Sequence, residues 1–288
     1  MADRGLRLPT NADGDFFVDS TCIDCDACRW IAPATFARRG EQSAVQRQPA
    51  SPELERRALM ALVSCPTASI GTALEHRVRD AIDAYPEPID DGVHHCGFHS
   101  EQSFGAASYL IVRERGNVLV DSPRFAGRLV QRIEALGGIA TMFLTHSDDI
   151  ADHAKFRAHF GCERVVHRAD AGSMDVERTI DGTAPVPLDD ETVLIPVPGH
   201  TEGSTALLYR DRFLFTGDHL AWSESHGHVY AFRDACWWRW DRVITSTERL
   251  LDHRFEWILP GHGRRCRFAP DEMRAQLATA IAWMRSVA

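Results

Sequence analysis

The stretch from Leu144 to Phe156, LTHSDDIADHAKF, decides how the chain is read. Two histidines, His146 and His153, and three aspartates, Asp148, Asp149 and Asp152, fall inside it. They follow the apolar run Met142, Phe143, Leu144 and precede a segment of helical pattern. A strand end fixes side chains at the rim of a sheet, and imidazole with carboxylate is a donor set suited to a divalent transition metal. The stretch is expected to be a metal-binding loop.

Other apolar runs finish in the same way. IPVPGH ends in His200, FLFTGD in Asp218 and WILPGH in His262, each beside a glycine (Gly199, Gly217, Gly261) that lets the backbone turn close to an ion. One such histidine is ordinarily structural, whereas several strand ends of this kind together with Asp152-His153 are hard to explain as packing. The set resembles the metallo-β-lactamase family over residues 93 to 288, whose pattern is a T-H-x-H-x-D-H loop followed by a His, a bridging Asp and a last His. The resemblance implies an α/β fold, an αββα sandwich holding two divalent metals. It makes His146, Asp152, His153, His200, Asp218 and His262 ligands, with Asp218 the bridge. The departure lies in THSDDIADH. Asp148 stands where the family has its second His, and two extra residues precede Asp152. Asp148 is the first choice to replace the imidazole, with Asp149 next.

The first 75 residues carry a different chemistry. Cys22, Cys25 and Cys28 recur in a C-x2-C-x2-C run, and a distant Cys65 is followed by Pro66. Three closely spaced thiolates with a remote fourth fit a [4Fe–4S] cubane better than zinc, which favours paired C-x2-C knuckles. The run resembles single-cluster bacterial ferredoxins, and with no second cysteine trio the resemblance implies one cluster in a small α+β domain. Between these cysteines, SPELERRALMALVSC reads as a helix: Ser51 caps it, Pro52 suits its first position, and Glu53 and Glu55 favour its positive end. That helix would carry Cys65 back to the other three. Residues 76–92 read as a short helix and a Pro/Asp/Gly linker, and residues 93–288 as the second domain.

Composition limits the alternatives. The 288 residues are 44% hydrophobic, enough for a full core, and a net charge of −9 argues against nucleic acid as partner. No apolar run approaches the roughly 20 residues that span a bilayer. The opening residues have no apolar core of a secretory signal, so a cytoplasmic protein with reduced thiols is expected.

Two enzymatic readings remain open. In one, zinc activates water to hydrolyse a thioester, lactone or phosphoester, Asp152 orients the nucleophile, and the cluster is structural or regulatory. In the other, preferred here, the metals are iron and the chemistry is redox. A carboxylate in place of an imidazole hardens the site toward iron or manganese, and di-iron members of the fold also have an acidic residue at that position. The cluster would supply electrons one at a time to a site acting on a small molecule, and would be refilled by an external reductase. A plain iron–sulfur carrier with a decayed second domain is the weakest reading, because only one ligand position departs from the pattern.

Remaining residues say less. His94, His95, Cys96 and His99 are expected to be partly buried packing residues. His226 and His228 fall where this fold often places a substrate loop. The aromatic run Cys236 to Trp240 reads as core or interface, and Cys162, Cys236 and Cys266 as buried thiols.

Overall fold

The computed structural model describes residues 2–288, which form two compact units. The first comprises the chain up to Ala140 together with residues 151–161, and the second comprises residues 141–150 and 162–288.

In the first unit, Phe16–Val18 pairs antiparallel with Ile70–Thr72, and Phe36–Arg39 forms a hairpin with Gln42–Val45. The helix expected after Ser51 spans Pro52–Ser64. The Ser51 hydroxyl accepts from the Leu54 amide at 3.3 Å, a cap worth about 1 kcal/mol. The helix buries Ala58, Leu59, Met60, Ala61 and Val63 and ends where Cys65 begins the return to the Ile70–Thr72 strand. A four-stranded antiparallel ladder follows, in the order Glu87–Asp90, Val93–His95, Tyr109–Ile111, Val118–Val120. Part of the expected linker is therefore strand. Asp91 and Gly92, both at positive φ, turn the chain so that Glu87 faces His95. Two helices complete the unit. Gly127–Ala135 buries Leu129, Val130 and Ile133 and stops at Gly137 and Gly138, while His153–Phe160 packs Phe156 against the ring of Phe125 at 5.0 Å.

The second unit holds two main groups of strands and the small hairpin of Ala221–Ser223 with His228–Tyr230. Thr141–Phe143, Glu163–His167 and Arg178–Ile180 are parallel, and Val165 and Val166 of the middle strand are fully buried. The larger sheet runs Val186–Asp189, Thr192–Pro196, Thr205–Tyr209, Phe213–Gly217, Trp257–Pro260, Cys266–Arg267. Helices Trp240–Leu250 and Pro270–Ser286 share a core with this sheet, with Val243, Leu250, Leu277 and Met284 packed among Ile195, Leu208, Leu214 and Ile258. The buried Trp240 indole donates to the Met284 carbonyl at 3.1 Å and locks one helix to the other. Among the described residues no helix is long and apolar enough to cross a membrane.

One ionic clamp holds the cluster-bearing part of the first unit. His76 lies between Asp15, 2.5 Å from Nε2, and Glu55, 2.9 Å from Nδ1. Burial alone would lower its pKa, but the two carboxylates raise it above the ordinary imidazole value. Protonated His76 is therefore favoured by folding. Its contribution is fully present below the unfolded value of about 6.5 and is lost as pH rises through the raised folded value. His76→Gln is expected to remove this pH-dependent part, so the difference in melting temperature between wild type and variant should shrink as pH rises. A difference constant with pH would mean the clamp acts uncharged.

Candidate metal centre and cluster site

The cluster cysteines come together through local geometry. Asp24 and Asp26 both take positive φ, 60° and 67°, which coils the chain between Cys22 and Cys28 into a tight loop. Arg29 holds that loop by pairing with Asp24 at 2.5 Å and with Asp26, and Gln42 Nε2 donates to the Ser20 and Cys22 carbonyls at 3.0 and 2.9 Å. Cys22, Cys25, Cys28 and Cys65 line one cavity, with Val18, Ile70 and other apolar groups filling its wall. Burial pushes the Cys25 thiol up to about 12, its neighbours Cys65 and Cys22 adding to the rise, and holds Cys28 well above its usual value. Four converging thiols, two of which burial keeps from ionising, are a donor set that fits a cationic core. The Ser69 amide donates to Cys65 Sγ at 3.3 Å, the kind of bond that stabilises a ligating thiolate. Gly105 completes the cavity rim, where a Cβ would stand 2.9 Å from Cys25 Sγ.

The second site is built at one end of the larger sheet. Thr192–Pro196, Phe213–Gly217 and Trp257–Pro260 all run in the same direction, and their chains continue to His200, Asp218 and His262. The neighbouring sheet delivers His146. Its strand ends at Phe143, Leu144 still bonds the Val165 carbonyl at 2.9 Å, and the Thr205 amide ties Thr145 to the larger sheet at 2.9 Å. Gly217 (φ 49°) is required at this junction, because a Cβ there would stand 2.5 Å from the Thr145 hydroxyl.

Around Asp218 Oδ2 stand three imidazole nitrogens: Nε2 of His146 at 3.7 Å, of His200 at 3.7 Å and of His262 at 3.8 Å. These separations are long for hydrogen bonds. They suit two ligands of one ion, since metal bonds of about 2.1 Å at a tetrahedral angle put their donors about 3.4 Å apart. Asp148 Oδ2 lies 3.4 Å from His200 Nε2 and 3.9 Å from His146 Nε2. The donors fall into two groups that share His146. One is His146, Asp148 and His200, and the other is His146, Asp149 and Asp218, with all ligand atoms of each group within 4.8 Å. Both loop aspartates therefore come within reach of the His146 imidazole. His146 Nε2 and Asp218 Oδ1 are buried and make no hydrogen bond among the described residues.

Neither group includes Asp152 or His153. Within the first unit, Asp152 Oδ2 accepts from the Phe125 amide at 2.7 Å, and Oδ1 pairs with Lys155 at 2.7 Å. Burial opposes its ionisation, yet these partners hold its carboxyl below the usual range. His153 opens the helix that follows.

Residues 18–72 match the family described as the 4Fe-4S single cluster domain of ferredoxin I. No curated protein matches the chain. Among solved structures, the DIM-1 metallo-β-lactamase exposed to ceftazidime is 17% identical, with 70% of this chain and 96% of its own covered at a TM-score of 0.54. A metallo-β-lactamase from Hirschia baltica is 16% identical, covering 67% and 95% at 0.51, and the BLEG-1 B3 metallo-β-lactamase is 14% identical, covering 67% and 99% at 0.51. The chain has the metallo-β-lactamase fold, preceded by a ferredoxin-type cluster domain. On this fold the donor set fits a divalent metal, with a buried imidazole nitrogen facing a carboxylate at the right spacing.

The charges of the site are coupled. The His200 imidazole, 3.4 Å away, is the main influence holding half-exposed Asp148 down at about 2. Burial works against a proton on His200, but Asp148 and Asp218 raise its pKa overall, and burial lowers that of His146. His219, next to the bridging position, is driven down to about 3 by burial and contacts the Thr247 hydroxyl at 3.0 Å. The other singled-out residues lie elsewhere. His95 and His99 are buried in the first unit and share a 2.9 Å Nε2–Nε2 hydrogen bond, while His226 and His228 pack their rings on Trp283. Cys162 and Cys266 are buried and Cys236 half-buried. Trp237 is 66% exposed, its ring 6.2 Å from that of His200.

Sequence reading missed Asp170. Its buried carboxylate accepts from the Ser147 amide at 3.2 Å, the Thr201 hydroxyl at 2.5 Å and the Gly203 amide at 2.8 Å. It thus ties the His146–Asp149 loop to the His200 loop. The signal in the sequence was slight, a lone Asp after the strand ending at His167. Asp170→Asn, which sets an amide NH2 against these donors, should weaken metal binding by about 10- to 100-fold in chelator competition. Unchanged affinity would reduce Asp170 to a packing role. At the other site, Arg29→Met takes the guanidinium from Asp26 and leaves Asp24 to Arg38, 3.0 Å away. It should speed bleaching of the cluster by chelator several-fold, and an unchanged rate would show that the cysteines alone hold the loop.

Proposed function

We propose that the chain is a redox enzyme with a di-iron centre at the Asp218 site, reduced through its own [4Fe–4S] cluster and acting on a small molecule. The observation that carries this reading is the donor set. Two carboxylates and one imidazole make up the Asp149 group, and a carboxylate joins two imidazoles in the other, with no thiolate in either. Hard oxygen donors favour iron or manganese over the softer ligand sets typical of zinc. Bound iron would supply the one-electron chemistry that a cluster, itself a one-electron carrier, is suited to feed.

The residues of the chain would do the rest. His146, His200, His262 and Asp218 would hold the metals at fixed strand ends, and Asp148, half exposed, would be the ligand facing an incoming substrate. Exposed Trp237 beside His200 gives that approach an apolar wall. Asp152, ionised and anchored by Lys155, would act from the start of its helix on the orientation of the loop. An external reductase would donate the electrons, and a reducing cytoplasm fits eight free cysteines. The second reading, zinc-dependent hydrolysis with a structural cluster, draws support from the likeness of the fold to metallo-β-lactamases.

Metal and sulfide analysis of anaerobically purified protein, with Mössbauer spectra before and after dithionite, separates the two. About six irons for four sulfides, two of them in a non-sulfide environment, are expected. About four irons for four sulfides, with zinc in the remaining site, would remove the redox reading in favour of hydrolysis.

A further inference from the structure

We infer that Asp19 sets the direction of a line of hydroxyls ending at Cys65 Sγ, so that Thr67 withholds its hydrogen from that sulfur and the reduction potential of the bound cluster is held down. The inference rests on the cluster alone and is independent of the chemistry at the Asp218 site.

Asp19 is 1% exposed and follows the Phe16–Val18 strand of the first unit. Both of its oxygens accept main-chain hydrogens: Oδ1 takes the Thr21 amide at 2.9 Å and Oδ2 the Asp3 amide at 2.8 Å. From Oδ1 the hydroxyls lead toward the cluster cavity. Thr21 Oγ1 lies 2.5 Å from Asp19 Oδ1, and Ser69 Oγ lies 2.6 Å from Thr21 Oγ1. Thr67 Oγ1 follows 2.6 Å from Ser69 Oγ, and Cys65 Sγ lies 3.8 Å beyond it. Each hydroxyl has one hydrogen, and a carboxylate has none to give. Thr21 must therefore donate to Asp19, Ser69 to Thr21, and Thr67 to Ser69. Among the described residues no hydrogen of this line is left for Cys65. Its sulfur meets the lone pairs of Thr67 and the Ser69 amide, which donates at 3.3 Å.

Cys28 has the opposite arrangement. Arg29 Nη1 donates to Ser43 Oγ at 3.1 Å, and a guanidinium can only donate. Ser43 keeps its own hydrogen for Cys28, where the bond works against the effect of burial on that thiol. A cation thus stands behind the hydroxyl that serves one sulfur, and an anion behind the hydroxyl that faces the other. Hydrogen bonds to the sulfurs are among the groups that set the potential of a cluster, and a donor favours the reduced, more negative state. Ser43 acts in that direction, whereas the line from Asp19 cancels the bond that Thr67 would otherwise make.

The test is a spectroelectrochemical titration of the whole cluster-loaded chain, with the cluster absorption of each variant checking its fold. Thr21→Val cuts the line beside Asp19 and frees Ser69 and Thr67 to turn toward Cys65. It should raise the midpoint potential, by up to about a tenfold change in the reduction equilibrium, or about 59 mV for one electron. Ser69→Ala cuts the line one step nearer the sulfur, keeps the Ser69 amide, and should give a similar rise. Thr21→Ser keeps the hydroxyl and should hold the wild-type potential. The decisive comparison repeats Thr21→Val in a Thr67→Val background. There the hydroxyl that would turn to the sulfur is gone, and Thr21→Val should leave the potential unchanged. An equal rise in both backgrounds would overturn the inference, as would the absence of a rise in either single variant that retains its cluster, or a rise in Thr21→Ser.

Discussion

Like charge gathered in a water-poor place is the condition to which the rest of the second unit is fitted. Asp149, Asp218 and, half exposed, Asp148 face one cluster of imidazoles. Like charge held out of water costs several kcal/mol unless it is compensated, so such a set requires a backbone that holds it rigidly. Rigidity comes from the sheet. Three ligand-bearing strand ends share one rim, and the core of Val243, Leu250, Leu277 and Met284 fixes the helices behind them. The Trp240–Leu250 helix reaches the site directly. Ser246 donates to the Pro198 carbonyl at 2.8 Å, and Val243 packs so close to Gly199 that a Cβ there would stand 2.5 Å from it. The turn that presents His200 is therefore pressed into place by the core.

The cluster loop meets a related problem with different means. The Cys25 and Cys28 thiols, which burial keeps protonated, must ionise to bind iron, and at Cys25 the Ala27 amide and the Arg29 charge work against burial. Arg29 pairs with Asp24 and Asp26, the residues in left-handed conformation, and its charge also acts on Cys25. The pairing offsets the cost of two non-glycine residues at positive φ, about 1 kcal/mol or more each. The negative charge of a bound cluster would thus meet amide dipoles such as that of Ser69, solvent and one nearby guanidinium, the levers that set the potential of such centres.

How far this was legible in the sequence follows from the range of each interaction. The cysteine run, the Ser51-Pro52 helix start and the His or Asp closing each apolar run are local signals, and the structure keeps them at the expected places. What the sequence did not settle depends on loop path. A shift of one residue decides whether Asp148 or Asp149 turns inward, and the structure brings both near His146, Asp149 buried and Asp148 half exposed. Asp170 was invisible for a related reason. Its three donors lie in segments distant in sequence, and an isolated Asp after a strand carries no periodicity to mark it. The Glu87–Asp90 strand was read as linker because Pro88 and the Asp-Gly pair suggest a break, whereas here they make the turn of a ladder.

The two donor groups are not equivalent, and the asymmetry bears on chemistry. The His146, Asp148, His200 group has two nitrogens and a solvent-facing carboxylate, and the His146, Asp149, Asp218 group has one nitrogen and two carboxylates, Asp149 fully buried. His146 Nδ1 is engaged by the Thr145 hydroxyl, so the Nε2 lone pair alone is left to bind an ion, and His146 can serve one of these groups at a time. The site thus offers an ion a nitrogen-rich or an oxygen-rich set around the same imidazole. A hard cation would be drawn to the oxygen-rich set and a borderline one to the nitrogen-rich set, so the carboxylate that engages depends on the metal supplied.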